Sequence, residues 1–463
     1  MRIRLLIGLL IFGSFGNLSS ATQEPMVLTL EQSVQIALER NPGFKAAEKE
    51  LAKAKAAVWE AYSSLLPNVE GSASFQHAWD IQKNTIPNFL KPMLGPLADL
   101  IPQIRDMPDF IQLSFGLENV FTYGVTLTQP VFLGGAGVSG VQMALAGQRA
   151  AVQSLKAKKQ ELIYQASDAF YRCLLAKELV AVQEEALAQA TANLQMVMKK
   201  YENGSASGFD KMRAEVEAAN LKPSLISARN GYQLALTGLR HVLALEENAP
   251  LQIQGGFVYQ EDEIAQMSLV DLQNKALQNR PEKHALQEQI YISKKGLTVA
   301  RSQFMPKVFF QTSYSKLAMK NDYHFRDEDF STGFTSAVSL QIPLFTGFRH
   351  AKQYQKAQLD YKIMLDNEKQ ITDGIKAEVE VAYNNFQEGK ENYTSAAESV
   401  SLAKEALRLA NLLYEEGAST QLDVLNSNLA LNRAQLNYAN SVYDYQMARY
   451  QLRRVIGELN DIL

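Results

Sequence analysis

Residues 63–75 read SSLLPNVEGSASF, and residues 302–314 read SQFMPKVFFQTSY. In both stretches a proline, Pro67 or Pro306, is followed by strict alternation of two kinds of side chain. The first alternation sets Val69, Gly71, Ala73 and Phe75 against Glu70, Ser72, Ser74 and Gln76. Successive side chains of a strand point to opposite faces, so each stretch predicts a strand with one apolar face and one small polar face.

Two further stretches have the same period, FTYGVTLT at 121–128 and FTSAVSL at 334–340. About ten residues with an apolar outer face and a small polar inner face are typical of a transmembrane barrel strand. A soluble half-buried sheet gives the same alternation. The polar face is mostly Ser, Thr and Gly with few charges, as in the wall of a lumen, and this favours the barrel.

The chain contains two tandem copies of one unit. TLEQSVQIALERNP (29–42) aligns with SLVDLQNKALQNRP (268–281), and Pro67 aligns with Pro306 at the same offset of 239 residues. From Pro130 and Pro343 onward the offset is 213. The first copy therefore carries 26 extra residues (239 − 213) between Pro67 and Pro130. The extra residues lie in a segment containing Pro87, Pro92, Pro96, Pro102 and Pro108, which excludes one regular helix or strand there. We expect this segment to form an external loop between two barrel strands.

Each copy is predicted to run helix, strand, strand, long helix, turn, helix. After Pro130 and Pro343 apolar residues recur every three or four positions for about sixty residues. Such helices would be roughly 90–100 Å long. Thr29 and Ser268 are predicted to cap the first helix of each copy.

The N-terminus, MRIRLLIGLLIFGSFGNLSSA, has the layout of a secretory signal peptide. Arg2 and Arg4 precede a short apolar run, and small residues follow it. The predicted organisation is therefore a signal peptide at 1–21, a first repeat at 22–246, a linker at 247–267 and a second repeat at 268–463. The formal net charge of −3 and the lack of a basic patch argue against nucleic-acid binding.

No pattern for catalysis, a cofactor or a metal stands out. The five histidines are scattered, and the sequence has no H-E-x-x-H, G-x-S-x-G or Walker motif. Residues 135–140 read GAGVSG, but the acidic residue and second strand of a dinucleotide site do not follow. We therefore predict no enzyme activity and no cofactor.

Four strands cannot close a barrel, and open sheet edges are not tolerated in a bilayer. The barrel must then be shared among chains. Two chains would give eight strands and a filled lumen, and three would give twelve strands and a pore.

The chain resembles the TolC-like outer membrane efflux proteins in three features. These are the strand starts quoted above, the strand ends QPVFLGG and IPLFTGF, and the turns YENGSASGFD (201–210) and YEEGASTQLD (414–423). The resemblance covers almost the whole chain after the signal. It implies a mixed, mainly α, fold: a trimeric transmembrane barrel of twelve strands, four per chain, continuing into a long periplasmic α-helical barrel. It also implies a homotrimer in outer-membrane lipid, working with a periplasmic adaptor protein and an inner-membrane transporter of the RND, ABC or MFS type.

The resemblance also assigns residues. Asp423 matches the first aspartate of the family's entrance constriction, and Asn426 takes the place of the second. The positions assigned to the closure of the entrance are Tyr414, Asp210, Tyr201 and Ser419, the last of which stands where the family often has an arginine. Gly204 and Gly417 are assigned to the helix-tip turns, and Pro67, Pro130, Pro306 and Pro343 to the passage between barrel and helices. Helix capping is an alternative role for Asp210 and Asp423.

The predicted function is an outer membrane exit duct of a tripartite efflux or type I secretion system. The alternative from another class is a soluble exported coiled-coil scaffold or periplasmic adaptor, which would use the same long helices. The transported substrate is not encoded in any of these patterns.

Overall fold

A computed structural model describes residues 26–97, 100–114, 116–257 and 263–459. The predicted signal peptide, residues 1–21, lies outside the described residues, as does the part of the predicted linker at 258–262.

The order of elements repeats once along the chain, but two helices, and not the predicted one, come before the strands of each copy. The first copy consists of β1 (Met26–Leu28), α1 (Leu30–Arg40), α2 (Pro42–Ser63), β2 (Asn68–His77), β3 (Lys83–Pro87), α3 (Leu90–Leu94), β4 (Phe110–Ser114), β5 (Asn119–Phe132), α4 (Ala136–Glu202) and α5 (Gly208–Leu243). After β6 (Leu251–Ile253), the second consists of α6 (Leu269–Asn279), α7 (Pro281–Ser302), β7 (Lys307–Lys320), β8 (Ser331–Gln341), α8 (Arg349–Glu415) and α9 (Gln421–Val455). The helices α4 and α8 are each 67 residues long.

The chain divides into two compact units. One contains residues 48–154 and 281–372, and therefore the strands β2, β5, β7 and β8. The other contains residues 26–47, 155–257, 263–280 and 373–459 of the described chain, and therefore both turns between the long helices and their partners.

The first unit is built around an antiparallel sheet with the strand order β2-β5-β7-β8. Its register brings the predicted faces together across all four strands. One row aligns Gly71, Val125, Tyr314 and Phe334, and the next aligns Ser72, Gly124, Ser315 and Gly333. The apolar positions of each strand therefore share one face, and the small polar positions share the other, as the alternation predicts.

Aromatic rings cover the end of the apolar face that lies next to the connection between β7 and β8. Phe325 and Phe330, in the connection between β7 and β8, lie within 6.4 Å of Phe75 or Phe121, centroid to centroid. Tyr323 in the same connection lies 6.2 Å from Phe75. Aromatic rings at the end of an apolar band are typical of a membrane interface.

The four predicted prolines lie at the ends of these strands. Pro67 and Pro306 directly precede β2 and β7, and Pro343 lies between β8 and α8. Pro130 lies inside β5, beyond the last residue of β5 that pairs with β2, and the register with β7 shifts between Pro130 and Phe132. A proline lacks the N–H of a ladder bond, so it is accepted where one neighbour has ended and the strand is irregular.

The extra segment of the first copy contains several short elements, in line with its prolines. β3 and β4 form a separate two-stranded antiparallel sheet, and Pro87 is the last residue of β3. Lys91 of α3 forms an ion pair with Asp109, at 2.7 Å.

In the second unit, an apolar core forms around the first helix of each copy. Val34 and Ala37 of α1 pack with Phe170 and Leu239, and Leu272 and Ala276 of α6 pack with Phe386 and Tyr445. Both α1 and α6 begin at the predicted caps, where Thr29 and Ser268 accept the amide N–H groups of Gln32 and Asp271. In the part of the chain that the structure describes, no helix is long and apolar enough to cross a membrane.

Gly124 is expected to tolerate no side chain. A Cβ atom there would lie 2.5 Å from the carbonyl oxygen of Tyr314, closer than real Cβ contacts allow, whereas at Gly71 the nearest atom would be 4.0 Å away. Both glycines lie in paired strands of the same sheet, and neither has a positive φ. We expect Gly124→Ala to lower the yield of folded protein and its thermal midpoint in detergent, and the control Gly71→Ala to leave both near wild type. Equal behaviour of the two variants would contradict the close packing of β5 on β7.

Candidate channel entrance

The turn between α4 and α5 ends α4 with a left-handed glycine. Gly204 has φ of +73°, its N–H donates to the carbonyl of Tyr201 at 2.9 Å, and Ser205 N–H donates to the carbonyl of Lys200 at 2.7 Å. These two bonds form a Schellman motif, which satisfies helix carbonyls that have no partner within the helix.

The turn between α8 and α9 has the same construction. Gly417 has φ of +76°, and its N–H donates to the carbonyl of Tyr414 at 3.2 Å. Ala418 N–H donates to the carbonyl of Leu413 at 2.8 Å. Only glycine adopts this backbone conformation without strain, which explains why the sequence places a glycine at this point of both copies.

Each following helix begins with a capping box that contains the predicted aspartate. Ser207 Oγ accepts from Asp210 N–H at 3.1 Å, and Thr420 Oγ1 accepts from Asp423 N–H at 3.3 Å. In return the carboxylates accept from the backbone N–H groups of Ser207 and Thr420. Asp210 and Asp423 are therefore both the third residue of their helix, and the capping role is present in both copies.

Asp423 makes more contacts than the cap requires. Its Oδ2 also accepts from the hydroxyls of Thr420 at 2.7 Å and Ser419 at 2.8 Å. These donors, first the Thr420 hydroxyl, then the Thr420 amide and the Ser419 hydroxyl, hold the pKa of the Asp423 carboxyl below its usual range. Asp423 is exposed and its carboxylate is charged at neutral pH.

Asn426 is exposed and lies three residues after Asp423, so the two side chains share one face of α9. Val424, between them in sequence, is fully buried. The first two turns of α9 therefore present Asp423 and Asn426 together on the side opposite the local core.

The two tyrosines at matching positions have different surroundings. Tyr414 is 7% exposed and packs with Val197, Ala214 and Val424, whereas Tyr201 is 45% exposed. Burial, and then the negative charge of Asp210, raise the pKa of Tyr414. Tyr414 and Asp210 are thus brought near each other, and Tyr201 stays at the surface.

The residue that sequence reasoning missed is Lys200. Its ammonium group lies 4.2 Å from the centre of the Tyr414 ring and donates hydrogen bonds to the carbonyls of Tyr414 and Glu415. The only signal in the sequence is a lysine two residues before the last residue of α4, and a lysine there is ordinary in any helix.

Among the described residues no group of three or more His, Cys, Asp or Glu side chains could hold a metal ion. The single cysteine, Cys173, is buried, and burial raises the pKa of its thiol to about 12. The arrangement offers backbone turns, carboxylates and a cation, which suit the gating and selectivity of a pore.

The fold combines a four-stranded antiparallel sheet with two pairs of long helices, each pair joined by a glycine turn. The sequence model of the outer membrane efflux protein family matches residues 33–245 and 272–458. The chain therefore belongs to the outer membrane efflux protein family.

Among curated relatives, the alkaline protease secretion protein AprF of Pseudomonas aeruginosa is 23% identical over 461 residues, which cover 97% of this chain and 88% of AprF. The outer membrane protein TolC of Vibrio cholerae is 21% identical over 74% of this chain and 78% of its own. Among solved structures, the Campylobacter jejuni CmeC outer membrane channel has a TM-score of 0.75 at 18% identity, covering 93% of this chain and 85% of that one. This last likeness concerns the fold alone.

The family settles the choice between the two predicted functions. The chain is an outer membrane exit duct for efflux or type I secretion, and the alternative of a soluble scaffold or adaptor is wrong. The family is one of transport channels and not of enzymes.

The first turn of α9 is expected to loosen only at acid pH. Because the pKa of Asp423 is lowered in the folded chain, its stabilising effect is complete above the ordinary aspartate pKa of about 3.9 and is lost as the pH falls through the lowered value. A spin label on Glu416→Cys should keep constant mobility from neutral pH to about pH 4 and gain mobility below it. In an Asp423→Ala background the mobility should be higher and independent of pH; an unchanged acid transition in that background would contradict the assignment to Asp423.

Proposed function

We propose that three copies of this chain assemble into one duct, with a shared twelve-stranded barrel in the outer membrane and a helical barrel in the periplasm. The observation that carries the proposal is the pair of open edges of the four-stranded sheet. β2 and β8 form its two edges, and nearly every residue of both is exposed in the single chain. Unpaired backbone groups cost several kcal/mol each in hydrocarbon, so both edges need partners.

Strand direction supports pairing between copies. Every neighbouring pair in the sheet is antiparallel, and the sheet has four strands, so β2 and β8 run in opposite directions. The β8 edge of one copy can therefore pair with the β2 edge of the next without breaking the antiparallel order. Three copies give twelve strands, enough for a lumen, whereas two copies give eight strands with a lumen filled by side chains.

The entrance of the duct is assigned to the two glycine turns. In a trimer, three Asp423 side chains would face one another across the opening, with three Asn426 side chains one turn further along. Like charges held close together attract cations between them and oppose each other's ionisation. The hydrogen bonds from Thr420 and Ser419 favour the charged form, and so support a ring that stays ionised at neutral pH.

Closure of the entrance is assigned to Tyr414 and Asp210, with Tyr201 and Ser419 at the surrounding turn positions. Burial of Tyr414 beside the first-copy helices is the observation that supports this role. Ser419 binds the Asp423 carboxylate instead of reaching another turn, so it does not take the place of an arginine in closure.

The partners proposed are a periplasmic adaptor protein and an inner-membrane transporter of the RND, ABC or MFS type. A duct that crosses only the outer membrane and periplasm has no energy source of its own, so transport needs a pump in the inner membrane. The relatives carry names for protease secretion and for cobalt, zinc and cadmium resistance. These names cover different kinds of cargo. We therefore propose that the transporter, and not the duct, selects the cargo.

The shared barrel is tested by disulfide cross-linking of the two edges. Ser72→Cys on β2, combined in turn with Thr335→Cys and Ala337→Cys on β8, places cysteines on the small polar face of both edges. We expect one of the pairs to give a covalent trimer under oxidation, and native mass measurement to give three chains. Cys173 is buried and protonated, so it should not interfere. A stable monomer in detergent would overturn the shared barrel.

The ring is tested by conductance in planar bilayers with and without a trivalent cation. Asp423→Ala should lower cation selectivity and remove block by the trivalent ion, because the three carboxylates are gone. The matched variant Asn426→Asp should strengthen the block, because it doubles the number of carboxylates at the same place. If Asp423→Ala leaves selectivity and block unchanged, Asp423 is a helix cap only.

A further inference from the structure

The C-terminal end of α8 carries two glutamates and no basic residue. The last turn of α8 contains no basic residue, whereas that of α4 contains Lys199 and Lys200. Glu415 ends α8, and Glu416 follows it. Since the carbonyl end of a helix is itself negative, two glutamates there are unfavourable unless a cation lies close by.

Lys200 of α4 supplies that cation. Its ammonium group donates to the carbonyls of Tyr414 and Glu415, the latter at 3.4 Å, and lies 4.2 Å from the centre of the Tyr414 ring. One side chain therefore caps the end of another helix and holds its buried tyrosine. A hydrogen bond from a charged donor and a cation over an aromatic ring are each stronger than their neutral counterparts.

This contact joins the two turns of one chain. Lys200 is itself part of the α4 turn, since its own carbonyl accepts the N–H groups of Ser205 and Ala206. Tyr414 is part of the α8 turn, since its carbonyl accepts Gly417 N–H. Any movement that separates the α4–α5 turn from the α8–α9 turn must break the bonds of Lys200.

The contact exists in one direction only. The position of α8 that matches Lys200 is Leu413, which is 45% exposed and carries no charge. The ammonium group of Lys211 lies 5.4 Å from the centre of the Tyr201 ring, and Lys211 belongs to the same hairpin as Tyr201. The contact from the first hairpin to the second therefore has no counterpart in the reverse direction among these matched positions.

We propose that Lys200 is the latch that holds the two entrance turns of each protomer together in the closed channel. This inference rests on the proposed function. Ser419 stands where the family often has an arginine, and Lys200 would supply a bridging cation that Ser419 does not. Lys200 is a positioning residue: it acts through Tyr414 and the end of α8, and it is not assigned to the pore wall.

The test compares three variants in planar bilayers. Lys200→Met removes the charge and keeps the length, and we expect the ratio of open to closed channel to rise about tenfold, the equivalent of losing one charged contact. Lys200→Arg should stay near wild type, because a guanidinium can also donate to the carbonyls and lie over the ring. Lys199→Met is the matched control, because Lys199 is exposed and belongs to the same turn, and its replacement removes the same charge. This variant should leave the ratio unchanged.

A second measurement tests the latch without any channel. Spin labels on Asn203→Cys and Glu416→Cys report the distance between the two turns of one chain. Lys200→Met should widen this distance distribution, and Lys199→Met should not. If the wild-type protein forms no pore, the proposed function fails. The distance measurement still shows whether Lys200 holds the two turns together.

Two outcomes would overturn the latch. One is a Lys200→Met protein with wild-type conductance and wild-type distances. The other is a protein with a lower thermal midpoint but unchanged gating and distances, since Lys200 would then support only the fold of the turn.

Discussion

A β-sheet with two open edges cannot remain in hydrocarbon, and most features of this chain follow from that constraint. Backbone N–H and C=O groups find no water in the bilayer core, so each must be paired within the protein. β2 and β8 leave such groups at both edges of the sheet. The antiparallel order, the even number of strands and the small side chains on the inner face are all compatible with closing the sheet by adding further copies.

The two copies have the same backbone structure at their entrance turns but differ in the side chains around those turns. Both entrance turns combine a Schellman motif with a capping box, with φ of +73° at Gly204 and +76° at Gly417. Such turns satisfy the free groups of two helix ends over a few residues, which suits the sharp reversal of a long hairpin. Differences between the copies lie in what surrounds this framework, and Lys200 with Tyr414 is the clearest of them.

The capping alternative and the ring assignment for Asp423 are compatible with each other. One carboxylate oxygen, Oδ2, accepts all the bonds from Ser419 and Thr420 that the structure describes. A capped carboxylate is held in a fixed direction and stays charged, and both properties suit a residue that selects ions. In Asp210 the same cap lies beside a buried tyrosine, so the same local motif is placed in a different electrostatic setting.

The sequence by itself determined the elements, their repeat, the faces of the four strands and the family, because strand and helix periods, caps and glycine turns are local signals. Gly204, Gly417, Asp210 and Asp423 lie in the turns and caps that their spacing predicted. Only the tertiary structure decided that Tyr414 is buried and Tyr201 exposed, that Pro130 lies within a strand beside an irregular register, and that Lys200 reaches the end of α8. The contacts of Lys200 and Tyr414 depend on which helix end approaches which, over more than two hundred residues of sequence, and the place of Pro130 depends on how β5 pairs with β2 and β7. A local pattern carries no information about such an approach.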